Sequence, residues 1–250
     1  MATIIELFPG KSQEKSLANK NVIFLGMLFV SFLVVSNLTA FKVVEIHLTN
    51  DFLINFPAAL VFFPLTYFFD DVLTEVYGFK VSRFIIWSGL VCTAMIMICT
   101  QIAVSLPASP LWDASTNNRA SAYELIFKGS LQIFLASCFA YFCGEFLNSM
   151  ILAKLKVKTN GKYFSLRVMA STAIGVGMDT IIFCNIAFFD ILPQKMIWTI
   201  IITQYLFKLM YEFLMLPITW SLVAYLKKKD RVDYYDTHTR FNPFSISLAD

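Results

Sequence analysis

The chain has 250 residues, 58% of them hydrophobic and 15% charged, with a mean hydropathy of +0.67. A soluble domain carries about a quarter charged residues, and a core of this length cannot hide so much apolar surface. Lipid must solvate much of the chain, which excludes an ordinary soluble domain, and a net charge of +3 without aromatic-basic motifs points to no nucleic-acid partner.

Residues 1–21 read as a short polar N-terminal segment, with no secretory cleavage site after the first apolar run. A helix needs about twenty apolar residues to cross a bilayer. Six segments qualify: Val22–Phe41, Phe52–Phe69, Phe84–Leu106, Leu125–Leu152, Val168–Phe189 and Trp198–Leu226. They predict an all-α integral membrane protein with a six-helix transmembrane domain over 22–226 and a polar tail over 227–250. The connection Pro107 to Glu124, with Trp112, reads as the one substantial extramembrane loop.

Orientation follows from the positive charges. Fifteen Lys and Arg fall on the side of the N-terminus, against Lys42, Arg119, Lys128 and Lys195 on the other, with Lys208 inside a span. Both termini, and the tail with them, are therefore expected in the cytoplasm.

The second segment carries Pro57 and Pro64, and the fifth carries Gly175 and Gly177. Gly- or Pro-interrupted spans in both halves point to a transporter's binding site, although ordinary kinked packing produces them too. Cys92, Cys99, Cys138, Cys143 and Cys184 all lie in apolar segments without a C-x-x-C pair and read as small core residues. His47 and His238 are the only histidines, so no metal site and no cofactor are expected.

Ionisable groups inside spans are costly and each is a functional candidate. They are Glu145, Asp179, Lys208 and Glu212, with Asn37 and Asn148 as amides. Lys208 and Glu212 stand four apart on one helical face, either as a self-neutralising pair for packing or as a charge-setting or proton-relaying pair. Glu145 and Asn148 are three apart on one face. Glu145 has no cationic neighbour in its own helix, so it requires a partner from elsewhere, a proton or a ligand. Asp179 follows a glycine pair that admits a close approach.

The stretch "FPLTYFFDDVLTEVYGFK", Phe63 to Lys80, sets Asp70, Asp71 and Glu75 at a span end. An Mg²⁺–diphosphate enzyme of the intramembrane prenyltransferase type would use such acids, but pairs two clusters, and no second one exists here. If the helix continues, Tyr67, Asp71 and Glu75 share one face at i, i+4 steps. Asp70 lies off that face and is expected to be solvated, and Glu75 is the leading working residue of the three.

This stretch resembles the hallmark of the queuosine precursor transporter family, also described as a vitamin-uptake family. The residues are Phe63-Pro64-Leu65, Tyr67, Asp71-Val72, Thr74-Glu75-Val76-Tyr77-Gly78 and then Arg83. "SNLTAFK" (Ser36–Lys42), Leu135–Lys162, Arg167–Phe189 with Ala170-Ser171-Thr172, Gly175 and Asp179-Thr180, and Gln204–Thr219 are similar to family segments in the same order. Val176 departs from it, where members often carry a larger polar residue. The resemblance implies a six-span importer in the bacterial inner membrane for purine-like 7-deazaguanine bases. The expected site is a central pocket of Glu145, Asn148 and Asp179, with Glu75, Asn37, Tyr67 and Asp71 nearby and Lys208 and Glu212 setting charge or relaying a proton. Proton symport, facilitated diffusion and service as the binding subunit of an ATP-driven importer are alternatives for coupling.

Overall fold

The computed structural model describes residues 19–40, 42–49, 52–109, 119–127 and 131–244. Trp112 and half of the expected extramembrane loop lie outside the described residues.

The first helix, α1 (Lys20–Thr39), is capped by Asn19, whose side chain accepts the Asn21 N–H at 2.9 Å. Its hydroxyls turn back on the helix: Ser31, Ser36 and Thr39 each donate to a carbonyl four residues earlier, as polar side chains must where water is absent.

An antiparallel hairpin follows, β1 (Val43–Thr49) paired with β2 (Phe52–Pro57) from Val43↔Pro57 to Thr49↔Phe52, irregular between His47 and Thr49. The second span was expected to be helical from Phe52, and the hairpin corrects this. "VVEIHLT" alternates apolar and polar residues and "FLINF" is rich in strand formers, so the two runs pair. The Ala58 N–H closes the hairpin on Lys42 O at 2.7 Å.

Helix α2 (Ala59–Phe62) is one turn, and α3 (Pro64–Tyr77) starts at once with Pro64 in its first turn, where a missing N–H does no harm. The acidic stretch is thus helix, and every residue of α3 except Leu65 is buried. Gly78, at φ 91°, breaks the chain direction before α4 (Phe79–Ser105). A short helix α5 (Arg119–Phe127) begins inside the expected loop, because "RASAYELIF" consists largely of good helix formers. Then come α6 (Leu131–Lys158), α7 (Phe164–Ala187) and α8 (Gln194–Asp230, containing Pro217).

Among the described residues five helices, α1, α4, α6, α7 and α8, are long and apolar enough to cross a membrane. They expose Ile23, Phe24 and Met27, Met95 and Ile98, and Leu206, Met210 and Phe213 outward, a surface suited to lipid. Helix α3 is the pivot, packed against α1, α4, α6 and α8. After α8, residues 231–244 fold back without regular structure. Tyr234 N–H reaches Val76 O at 3.1 Å, the Phe79 N–H reaches Asp236 at 3.0 Å, and the Trp87 indole reaches Pro243 O at 2.7 Å.

Candidate functional site

The inner face of the bundle is polar where its outer face is apolar. Asp71 on α3 accepts the Asn148 amide of α6 at 2.7 Å and faces the Thr172 hydroxyl of α7 at 3.5 Å. Asp70, expected in solvent, is only 1% exposed. It accepts Ser149 at 2.6 Å and Asn148 at 3.2 Å, and it bonds Ser82 of α4. The reason is that α3 is enclosed on every side, so leaving one face of it means entering another helix's packing. Ser82 and Ser149 also touch each other at 2.9 Å.

Glu145 and Asn148 lie one turn apart on α6, both fully buried. Glu145 Oε1 stands 2.8 Å from the Thr66 hydroxyl of α3, while its Oε2 has no partner. Asn148 directs both amide hydrogens at Asp70 and Asp71, which fixes the amide orientation, and its carbonyl oxygen is left unpartnered. The close contact of α6 with α7 at Gly144 and Gly175 brings Tyr67 and Asp179 to the same place. A Cβ on Gly144 would sit 2.7 Å from the Tyr67 hydroxyl and from Asp179 Cβ.

Asp179 is ion-paired with Lys208 of α8, which also reaches the Thr180 hydroxyl at 3.2 Å and lies over the Phe63 ring at 4.8 Å. Lys208 is therefore engaged across helices with Asp179. Glu212, four residues on, has Oε1 unpartnered and repels Asp71. Tyr67, Asp71, Glu145, Asn148, Asp179, Lys208 and Glu212 thus occupy one buried region.

Glu75 and Asn37 do not join them. Glu75 is gripped by Arg167 through two bonds of 2.6 and 3.1 Å and by Lys227 at 2.7 Å, with Lys156 at 3.8 Å. Lys156 and Lys227 both continue to Asp233 of the tail. Asn37 accepts the Ser137 hydroxyl at 2.7 Å and donates to Leu33 O, between α1 and α6.

Sequence reasoning misses Thr66, Ser149 and Thr172, since a hydroxyl in a span usually bonds its own backbone, and Ser82, which falls in the connection before the third span. It also counts Arg167, Lys156 and Lys227 as loop or border charges. "SLR" immediately before the fifth apolar run is the one available signal, a cation placed at its edge. Among the described residues no group of His, Cys, Asp and Glu is arranged to hold a metal ion.

The family model described as "Putative vitamin uptake transporter" matches residues 57–222. The chain is 26% identical over 199 residues to a Bacillus subtilis protein named "Probable queuosine precursor transporter", covering 79% of this chain and 82% of that one. No solved structure gives a significant match. The matched segment runs from the end of the hairpin through the carboxylate cluster and into α8. It covers most of the chain, and the chain belongs to this family of membrane transporters of vitamin-uptake type.

Proposed function

We propose that the chain imports a queuosine precursor, a 7-deazaguanine base such as queuine or its 7-cyano or 7-aminomethyl relatives, across the bacterial inner membrane. One observation carries this reading: Glu145 Oε2, Asn148 Oδ1 and Glu212 Oε1 are buried acceptors without partners, beside an unpartnered Tyr67 hydroxyl. Leaving such atoms unpaired costs about 1–3 kcal/mol each, and a guanine-like edge offers adjacent N–H donors to satisfy them. The printed name of the Bacillus relative supports the same cargo class.

In this reading six crossings are made by α1, the α2–α3 unit, α4, α6, α7 and α8, with both termini cytoplasmic. Tyr67, Asp71, Glu145, Asn148, Asp179, Lys208 and Glu212 line the cargo site. Glu75 instead secures the end of the bundle covered by the tail, and Asn37 braces α1 on α6. Five buried carboxylates, Asp70, Asp71, Glu145, Asp179 and Glu212, face one ammonium, Lys208. That imbalance is costly in a membrane interior and favours proton coupling.

The test is restoration of queuosine in tRNA in a host lacking precursor synthesis and its own importer, fed nanomolar precursor. Wild type should restore it, while Glu145→Gln and Asn148→Leu should not, although both proteins reach the membrane. Failure of wild type with every precursor removes the cargo assignment.

A further inference from the structure

A hydroxyl carries one hydrogen, and the hydroxyls of this cluster are short of them. Thr66 Oγ1 lies 2.8 Å from Phe63 O and 2.8 Å from Glu145 Oε1. Neither oxygen of an ionised Glu145, nor the Phe63 carbonyl, can donate. The single Thr66 hydrogen has a ready acceptor in Phe63 O, as threonine commonly bonds a carbonyl three residues back. The Glu145 contact then requires a hydrogen from Glu145 itself.

Asp70 shows the same shortage independently. Ser82, Ser149 and Asp70 form a closed triangle of contacts: Ser82–Asp70, Ser149–Asp70 at 2.6 Å and Ser82–Ser149 at 2.9 Å. Three bonds need three hydrogens, and two serines supply two. A proton on Asp70 Oδ1, donated to Ser82, lets Ser82 donate to Ser149 and Ser149 to Asp70 Oδ2, and the ring closes. Asn148 adds its own hydrogen at Oδ2.

We infer that the cluster binds two protons, one on Glu145 donated to Thr66 and one on Asp70 within the Ser82–Ser149 ring. Among the described residues, Tyr67 and Asp71 on α3, Tyr141 on α6, Asp179 on α7 and Lys208 on α8 face them, and Glu212 on α8 faces Asp71. Lys208 is the one cation among them, and it is committed to Asp179. Neutralising two of the five acids leaves Asp71, Asp179 and Glu212 against Lys208. The two protons differ in setting. Asp70 is fully engaged, accepting from Ser149 and Asn148 and donating to Ser82, whereas Glu145 keeps an unpartnered, buried Oε2, one helical turn from Asn148 and its unpartnered Oδ1. Glu145 is therefore the acid whose proton an arriving donor can influence. The assignment concerns the empty protein and does not depend on the identity of the cargo.

Infrared difference spectroscopy of the full-length chain in lipid at neutral pH tests this, because a carboxylic-acid C=O stretch is separate from carboxylate bands. Glu145→Gln and Asp70→Asn should each remove one acid band that shifts in D₂O, and the double variant should remove both. Asp179→Asn should remove carboxylate bands instead. Thr66→Val leaves the Glu145 carboxyl in place and should displace its acid band, so the assignment stays testable if Glu145→Gln does not fold. Loss of carboxylate absorption in Glu145→Gln or Asp70→Asn overturns the assignment for that residue, and an unmoved band in Thr66→Val overturns the Thr66 bond.

Discussion

Gly144 and Gly175 meet backbone to backbone where α6 crosses α7. A Cβ on Gly175 would lie 2.9 Å from Gly144 O and 2.8 Å from Asn148 Cβ. The contact joins α7 to the helix that carries Glu145 and Asn148. Small residues serve this purpose in membranes, where helices associate by close packing rather than by escaping water.

Gly175→Ala should therefore spread α6 from α7 and disturb Asn148 directly. Overpacking of this kind costs about 1–3 kcal/mol, and the expected outcome is a lower thermal midpoint in detergent together with loss of uptake. Gly177 is the control. A Cβ there meets only Tyr205 at 3.5 Å, an ordinary contact, so Gly177→Ala should leave both measurements within error of wild type.

Two glycines that look alike in "AIGVGMDT" are thus separated only by what lies across the interface. Much of the rest divides in the same way. Long apolar runs announce α1, α4, α6, α7 and α8, because spanning length and hydropathy are properties of one segment at a time. The hairpin over 43–57 is legible in the alternation of "VVEIHLT", but a window seeking apolar length absorbs "FLINF" into a span. The i, i+4 stripe of Tyr67, Asp71 and Glu75 is visible too, yet its members serve different networks. Eight residues of helix separate Tyr67 from Glu75 by about 12 Å, enough to move from the central cluster to the tail-covered end. Asp70 could not be placed from sequence, since its partners Ser82, Asn148 and Ser149 come from other helices.

The Lys208–Asp179 bond decides how α7 and α8 are held together. Lys208→Gln leaves a buried Asp179 without its cation and should cost about 3–5 kcal/mol. Adding Asp179→Asn should recover part of that loss. Thermal or denaturant unfolding of the two single variants and the double variant measures the coupling, expected at roughly 0.5–3 kcal/mol. Glu212→Gln removes a repulsion on Asp71 and breaks no ion pair found among the described residues, so its stability should equal or exceed that of wild type. Additive losses for Lys208 and Asp179 would separate the two residues energetically.

Glu75 is a structural hub whose side chain is 1% exposed and whose partners are three cations. Glu75→Gln strands the buried Arg167, whose carboxylate partner it is, while Lys156 and Lys227 keep Asp233. The expected loss is again about 3–5 kcal/mol, seen as less protein in the membrane and a lower thermal midpoint. The surviving protein should show an unchanged half-saturation concentration for uptake, because Glu75 is remote from Glu145 and Asn148. A raised half-saturation at normal protein level would return Glu75 to the cargo site.

The tail should respond to pH through Asp236. Burial holds its carboxyl above the ordinary Asp value of 3.8, against the lowering effects of the Phe79 N–H, the Thr239 hydroxyl, Lys156 and Lys80. Below about 3.8 the group is protonated whether the tail is docked or free, and docking has its full strength. As pH rises from there through the raised value, the free tail has lost the proton that the docked tail retains, so docking weakens, and it levels off above that value. Hydrogen exchange at the Tyr234 and Phe79 amides, which bond Val76 O and Asp236, should accelerate across this interval beyond the intrinsic pH dependence of exchange. Asp236→Asn keeps an acceptor for Phe79 without the ionisation and should abolish the excess. Retention of the excess in that variant would assign the pH response to another group.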